Sequence, residues 1–229
     1  MKKIAIIPLK ENSQRLENKN FLKIMGVPLW EITLNCLVEC DKFDRIIINT
    51  DSEEVFSSGK KINSNVSLID RPKYLNDLHA IEVVFHSLNS YDDIDEGDII
   101  FMALPTSPFR KKESVIDALS MVEKTNNSVI GVTRANKLSC SYRKIENDFL
   151  VPISVSDFES KNLNIQSTDV EEYIVTGSIF ASTYANLIKY KTFHQKNSIP
   201  IILNEFESID VNSKFDYYYC KFLSNYENY

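Results

Sequence analysis

Residues 3–20 read KIAIIPLKENSQRLENKN. Lys3–Pro8 is an apolar run closed by a proline, the pattern of a parallel strand buried on both faces. Directly after it the chain turns polar, rich in amides, and carries Lys10, Arg15 and Lys19. A buried strand that opens into a cationic loop suits an α/β sheet, in which ligands bind beyond the C-terminal strand ends. The same composition also fits a solvated surface loop, so the neighbouring elements matter.

Working outward, the pattern repeats. Leu29–Cys40 has helical spacing, with Leu29, Ile32, Thr33, Cys36, Leu37 and Cys40 sharing a face. Arg45–Thr50 (RIIINT) reads as a second buried strand, and Glu53 and Glu54 mark the first turn of a helix after Ser52. Val66–Ile69 is a third strand. Asp77–Leu88 reads as a helix packed through Ile81, Val84, Phe85 and Leu88. Asp98–Leu104 is a fourth strand, Lys112–Lys124 a helix and Ser128–Val132 a fifth strand. Strand–helix alternation of this kind predicts a Rossmann-like, mostly parallel sheet with helices on both faces. It also brings Pro8–Asn20, Asp51, Arg71 and Pro105–Arg110 to one cleft.

Beyond Ala135 the pattern changes. Ser139–Ile145 and Phe149–Val155 alternate around Glu146-Asn147-Asp148, as in a β-hairpin insertion, and Asp157–Asp169 reads as loop. Thr176–Ala181 and Ile199–Leu203 are further strands. Lys214–Leu223 is a helix expected to turn Phe215, Tyr218, Tyr219 and Phe222 to the core. The expectation is one domain over residues 1–229, with 135–172 as an insertion.

Composition narrows the function. The 229 residues carry a net charge of −6, against the basic face that a nucleic-acid partner requires. Cys36 and Cys40 lie four apart on a helix, but His79, His86 and His194 do not complete a zinc spacing, so reduced thiols are expected. The apolar run after Lys3 is too short for a signal peptide, and no run is long enough to span a bilayer. A cytoplasmic location is the expectation.

The loop lacks both the GxxxxGK[ST] and the GxGxxG pattern. Lys10, Arg15 and Lys19 can instead neutralise a triphosphate, with Ser13 and backbone N–H groups bonding phosphate oxygens. Asp51 reads as a cap for the following helix. Arg71 suits a surface ion pair as well as a site, and Arg110 a structural pair. Asp210, an isolated acid after Ile209 at a strand end, is well placed for a metal ion.

The loop resembles the phosphate-binding motif of the acylneuraminate cytidylyltransferases, with Lys10 where that family has arginine, Ser13 at its serine and Lys19-Asn20 at its lysine–asparagine pair. Colinear matches follow: Gly26-Val27-Pro28-Leu29, Phe43–Ser52 (FDRIIINTDS), Arg71-Pro72, Pro105–Arg110 (PTSPFR) and Ser208–Asn212 (SIDVN). The resemblance implies transfer of CMP from CTP to a sugar acid of the sialic type, with release of pyrophosphate. It implies a homodimer in which 135–172 reaches the partner. It places Lys10, Asn12, Ser13, Arg15, Lys19, Asn20 and Arg71 on the nucleotide, with Asp77 capping the helix beside them. Leu104, Thr106 and Thr176 fall on the acceptor, Asp210 and Asn212 on Mg²⁺, and Lys19 and Asp210 at the chemistry.

The chain also departs from that pattern. Leu104 stands where the sialic acid enzymes carry a substrate-contacting glutamine, and Leu78–Ile81 (LHAI) where they carry T-A-S-S. Tyr173–Gly177 (YIVTG) replaces F-R-P-N-G, which removes an arginine that binds carboxylate. Asn212 replaces the second acid of S-I-D-I-D, and a neutral ligand weakens metal binding. Phosphate-binding positions are kept more often than acceptor positions. Three alternatives follow: a different acceptor such as Kdo or a phosphonate, a weakened nucleotide-binding homologue, or a glycosyltransferase with a related sheet. The last lacks its usual Asp-x-Asp at a mid-chain strand end.

Overall fold

A computed structural model describes residues 1–13, 15–59, 64–137, 139–153 and 171–225. Lys3–Leu9 forms β1, and its side chains alternate between two cores. Ala5, Ile7 and Leu9 join one apolar cluster, while Ile4 and Ile6 join another on the opposite face of the sheet. Arg45–Thr50 forms β4 and repeats the alternation, with Ile46 and Ile48 on the first side and Ile47 on the second. This two-sided burial is why both strands read as unbroken apolar runs.

The other main strands are β5 (Val66–Asp70), β6 (Ile99–Met102), β7 (Val129–Arg134), β10 (Tyr173–Thr183) and β11 (Ile199–Ile202). They form one seven-stranded sheet in the order β11-β7-β10-β6-β1-β4-β5. All its pairings are parallel except those of β10, which runs antiparallel to β6 and β7. Helices α1 (Leu29–Glu39) and α4 (Lys112–Thr125) cover the first face; α3 (Ala80–Leu88) and α5 (Tyr184–Tyr190) cover the second. Helix α2 spans Glu53–Gly59 and α6 spans Lys214–Leu223. The chain runs from β1 to β4 and β5 on one side, then returns to β6 on the other. The strand order therefore reverses between β1 and β6, and a cleft opens there at the carboxyl ends.

Two short strands, β2 (Lys23–Ile24) and β3 (Val27–Pro28), make a small hairpin ahead of α1. Gly26 in its turn has φ +82°, a conformation that favours glycine. A third apolar cluster holds Leu16 and Ile24 against Leu29, Val211 and Cys220, and so fastens the loop after β1 to α6.

The expected mid-chain hairpin is present as β8 (Arg143–Glu146) and β9 (Phe149–Pro152), paired with each other and separate from the main sheet. Asn147 and Asp148 supply its turn with φ 49° and 66°. The loop expected over Asp157–Asp169 lies outside the described residues.

Several expectations need correction. The stretch Asp77–Leu88 is not one helix: a 3₁₀ turn spans Lys73–Asp77, and α3 starts at Ala80. Helix α3 packs through Val83, Val84, Ser87 and Leu88, with Ile81 and Phe85 only partly buried. In α1, Trp30 and Leu34 are buried while Ile32 and Cys36 sit at the edge of the buried face. The largest departure is α6. Phe215, Tyr218, Tyr219 and Phe222 are exposed, and Cys220 and Leu223 are its buried residues.

Candidate active site

The loop after β1 carries most of the predicted residues into the cleft. A section of about 390 Å³ is lined by Lys10, Ser13, Arg15, Lys19, Asn76 and Asp77. It continues into a narrower section reached by Asn20, Arg71, Leu104, Thr106, Asp210 and Asn212. That section opens in turn, past Ala80 and Leu104, onto an apolar hollow of about 400 Å³ walled by Ile81, Met102, Phe180 and Phe193. The cleft is thus cationic at one end, mixed in the middle, where Lys19 and Arg71 face Asp210 and two asparagines, and mainly apolar at the other, with Lys191, His79 and His194 at its wall.

Each end of the loop is tied down. Asn20 is buried and donates from Nδ2 to the Lys10 carbonyl at 2.9 Å, which brings the two ends of the loop together. Lys10 donates from Nζ to the Asn76 carbonyl at 3.1 Å. Lys19 donates from Nζ to Asn212 Oδ1 at 3.2 Å, and Asn212 donates from Nδ2 to Asp210 Oδ2 at 2.6 Å. The asparagine amide therefore bridges a cation and a carboxylate. Asn12 is exposed and is not among the residues lining the cleft.

Among the described residues, ten buried side-chain polar atoms have no hydrogen-bond partner, and four of them, Ser13 Oγ, Arg71 Nε, Asn76 Oδ1 and Asp210 Oδ1, belong to residues that line the cleft. Buried polar atoms are normally satisfied, so the four at the cleft are groups with hydrogen-bonding capacity to spare for a ligand. Ser107, within the PTSP run, carries another unpaired buried hydroxyl. Its Oγ and the Asp210 carboxylate both lie 3.3 Å from where a Cβ on Gly177 would stand. Gly177 thus lets β10 approach Asp210.

Burial lowers the pKa of Lys19 from 10.5; Asp210 opposes that shift, while Arg15 and Lys10 add to it. Lys19 then loses its proton at a lower pH than an exposed lysine. Affinity for a polyphosphate is expected to fall on the alkaline side, starting below pH 10.5, and titration calorimetry in buffers from neutral to alkaline pH measures it. Lys19→Arg is expected to flatten the profile, since guanidinium stays charged. Between the folded and unfolded pKa values the unfolded chain binds more protons, so this group raises stability as pH increases there.

Other predicted residues take different places. Thr176 does not line the cleft: it is buried, donating to the Gly131 carbonyl at 3.2 Å and accepting from Ser178 N. Asp77 borders the cleft but does not cap α3, whose N-cap position is His79 without a side-chain cap. Asp51 does not serve as a helix cap; its carboxylate accepts from Glu11 N at 2.7 Å and from Asn76 Nδ2 at 3.0 Å. Arg71 is buried and donates to the Leu75 carbonyl at 2.9 Å, holding the turn after β5 rather than forming a surface pair. Arg110 is buried beneath the cleft and donates to the carbonyls of Ser178 and Leu104, both at 2.7 Å, and to Thr33 Oγ1 at 3.2 Å. No group of three or more His, Cys, Asp or Glu side chains clusters for a metal among the described residues, and Cys36, Cys40 and Cys220 are free thiols.

A family profile described as Cytidylyltransferase matches residues 4–223, which includes every element of the main sheet and both walls of the cleft. The chain belongs to the cytidylyltransferase family. It is 27% identical over 216 residues to the N-acylneuraminate cytidylyltransferase of Escherichia coli, covering 93% of this chain and 50% of that protein. It is also 27% identical over 222 residues to the CMP-N,N'-diacetyllegionaminic acid synthase of Legionella pneumophila, covering 95% and 94%. The chain thus spans about half the length of the first relative and nearly all of the second. Among solved structures, a CMP:2-keto-3-deoxy-manno-octonic acid synthetase complexed with CTP superposes with a TM-score of 0.71 at 11% identity, over the whole of both chains. A 4-diphosphocytidyl-2C-methyl-D-erythritol synthase from Anaerococcus prevotii gives 0.68 at 16% identity, over 98% of this chain and 96% of that one. The family thus has the fold that the strand–helix alternation predicts. Among the described residues, no helix is long and apolar enough to cross a membrane.

Proposed function

We propose that this chain transfers CMP from CTP to a sugar acid of the nonulosonate class and releases pyrophosphate. The observation that carries the reading is the graded cleft. A triphosphate suits the end lined by Lys10, Ser13, Arg15 and Lys19, and the base side is bounded by Arg71, whose orphan Nε is a buried donor. The acceptor belongs at the end beyond Leu104, where Phe180 and Phe193 suit acyl substituents and Lys191 offers a cation to a carboxylate. The names of the E. coli and Legionella relatives agree with an acylated sugar acid.

Catalysis in this reading is mainly positioning and charge stabilisation. Lys10 and Lys19 neutralise the phosphates and hold the α-phosphate at the narrow middle of the cleft. Mg²⁺ is the metal we assign. The unpaired Asp210 Oδ1 and the amide oxygen of Asn212 are hard oxygen donors that would hold it. When bound, the ion would supply charge stabilisation and lower the pKa of the attacking hydroxyl. Asn212 keeps Asp210 oriented and gives Lys19 an acceptor until phosphate replaces it.

Pyrophosphate release with CTP, Mg²⁺ and a panel of acylated nonulosonates, Kdo and phosphonates tests the assignment. Turnover with an acylated nonulosonate is expected. Tight CTP binding with no turnover on any acceptor would support the weakened homologue instead. Asn212→Asp should lower the Mg²⁺ concentration needed for half-maximal CTP binding by about tenfold, because it adds a carboxylate to the donor set. Calorimetry at varied Mg²⁺ reads that shift.

We assign the whole chain to one domain, with residues 135–172 as a dimerisation insertion. The exposure of Ile145, Phe149 and Leu150 on the β8–β9 hairpin, each above 70%, supports a covering partner. A homodimer in the cytoplasm is the working expectation, and sedimentation velocity measures the oligomeric state.

A further inference from the structure

The nucleotide end of the cleft is built from two loops that belong to different strands. One is the loop after β1, which carries Lys10, Ser13 and Lys19. The other follows β5 and carries Arg71, Asn76 and Asp77. Neither is part of the sheet ladder beyond Arg71, whose N–H still bonds to the Thr50 carbonyl at 2.9 Å. Between them stands Asp51, the residue that follows β4, and β4 is the strand lying between β1 and β5.

We propose that Asp51 is a positioning residue for the nucleotide, which ties the phosphate loop to the loop after β5 so that their separation is set before the ligand arrives. This rests on the reading of the cleft as a CTP site. One carboxylate oxygen accepts from Glu11 N at 2.7 Å, in the phosphate loop. The other accepts from Asn76 Nδ2 at 3.0 Å, in the loop after β5. A third bond runs between the same loops, from Lys10 Nζ to the Asn76 carbonyl at 3.1 Å. Lys10 leaves this carbonyl when it turns to a phosphate, and the Asp51 bonds then remain as the tie. The carboxylate needs both its oxygens for this task, which is why a Ser or Thr at this position would serve only one loop. Asp51 also fixes the orientation of the Asn76 amide, because only the NH₂ end can face a carboxylate.

The benefit is pre-organisation. A loop pair already held at its binding separation loses less conformational freedom when the nucleotide binds. Removing the tie should therefore weaken nucleotide binding while leaving the chemical step of the bound complex nearly intact.

Three variants test this: Asp51→Ala, Asp51→Asn and Asn76→Ala. Asparagine at position 51 can still accept from Glu11 N, and can donate to Asn76 once that amide turns over, so it keeps the tie and loses the charge. The expected results are a rise of about ten- to a hundredfold in the KM for CTP for Asp51→Ala, a smaller rise for Asn76→Ala, and near wild-type behaviour for Asp51→Asn. The kcat and the acceptor KM should stay within about threefold, on the logic that uniform binding moves KM alone. Hydrogen exchange provides a readout that needs no nucleotide: Asp51→Ala should speed exchange in residues 9–13 and 72–79, and Asp51→Asn should restore protection. Unchanged exchange in both segments for Asp51→Ala would overturn the proposal. So would an Asp51→Asn variant as impaired as Asp51→Ala, which would make the charge rather than the tie responsible. If wild-type protein fails to bind CTP while the exchange results hold, the nucleotide assignment fails and the tie between the loops stands.

Discussion

Asp210→Asn is expected to lower kcat by about a hundred- to a thousandfold, the range seen when one preorganised charge-stabilising group is removed from an active site. The fold should survive the change. The carboxylate accepts one hydrogen bond at 2.6 Å from Asn212, and its other oxygen is a buried acceptor with no partner among the described residues. An unpaired buried acceptor costs free energy, so the substituted chain should melt at the same temperature or slightly higher. The CTP affinity measured without metal should change little, while its dependence on Mg²⁺ should weaken. Steady-state pyrophosphate release, calorimetry and a thermal melt together separate these effects. A variant with unchanged kcat would remove Asp210 from the chemistry.

Arg110→Ala should produce the largest loss of stability. The guanidinium is buried, and burial lowers its pKa below the usual arginine value, with nearby Cys36, Cys40 and Asp210 opposing the shift. Its donors satisfy the carbonyls of Leu104 and Ser178 and reach Thr33 in α1. Truncation leaves a cavity and strands two buried carbonyls, a combination worth about 3–5 kcal/mol. Urea unfolding should show a lower midpoint with an unchanged slope. Arg110→Lys should recover only part of the loss, because one ammonium cannot span acceptors on three separate elements. Activity should fall as well, since Leu104 stands where the middle of the cleft meets the apolar hollow.

The sheet was legible in the sequence because its signals are strong and local. Arg45–Thr50 and Lys214–Leu223 were bounded correctly to the residue. The run Lys3–Pro8 extends by one residue to Leu9, which is buried like its neighbours. The antiparallel course of β10 leaves no such local mark, since a strand reads the same in either direction and only its pairing sets the sense.

Side-chain roles were harder to read. The face of α6 was misassigned because Phe215, Tyr218, Tyr219 and Phe222 form the stronger apolar stripe at helical spacing. The start of the helix decides otherwise. Asp216 accepts from Asn212 N and Ser213 N, and Ser213 caps the Asp216 N–H in return. Tyr217 then reaches the Lys23 carbonyl at 3.0 Å, which turns Cys220 and Leu223 inward. Local propensity yielded to long-range bonds. Asp51 was read as a cap for the same kind of reason: its position before Glu53 fits that role, whereas its partners Glu11 and Asn76 are 40 and 25 residues away. Thr176 was placed near the acceptor by motif alignment, and the bulge between Val175 and Phe180 turns it to Gly131 instead. The cluster of cations after β1 was visible because it is contiguous in sequence.

The apolar cluster that joins Leu16 and Ile24 to Val211 and Cys220 has a consequence for how the chain is made. During synthesis β1 and the loop after it precede Val211 and Cys220 by nearly two hundred residues. At roughly 5–20 residues per second, that separation leaves the loop without its packing partner for about 10–40 seconds. A nucleotide present in the cell therefore has little to grip on the nascent chain, and cannot template its early folding. Ligand-assisted maturation therefore belongs to the stage at which α6 docks against the loop.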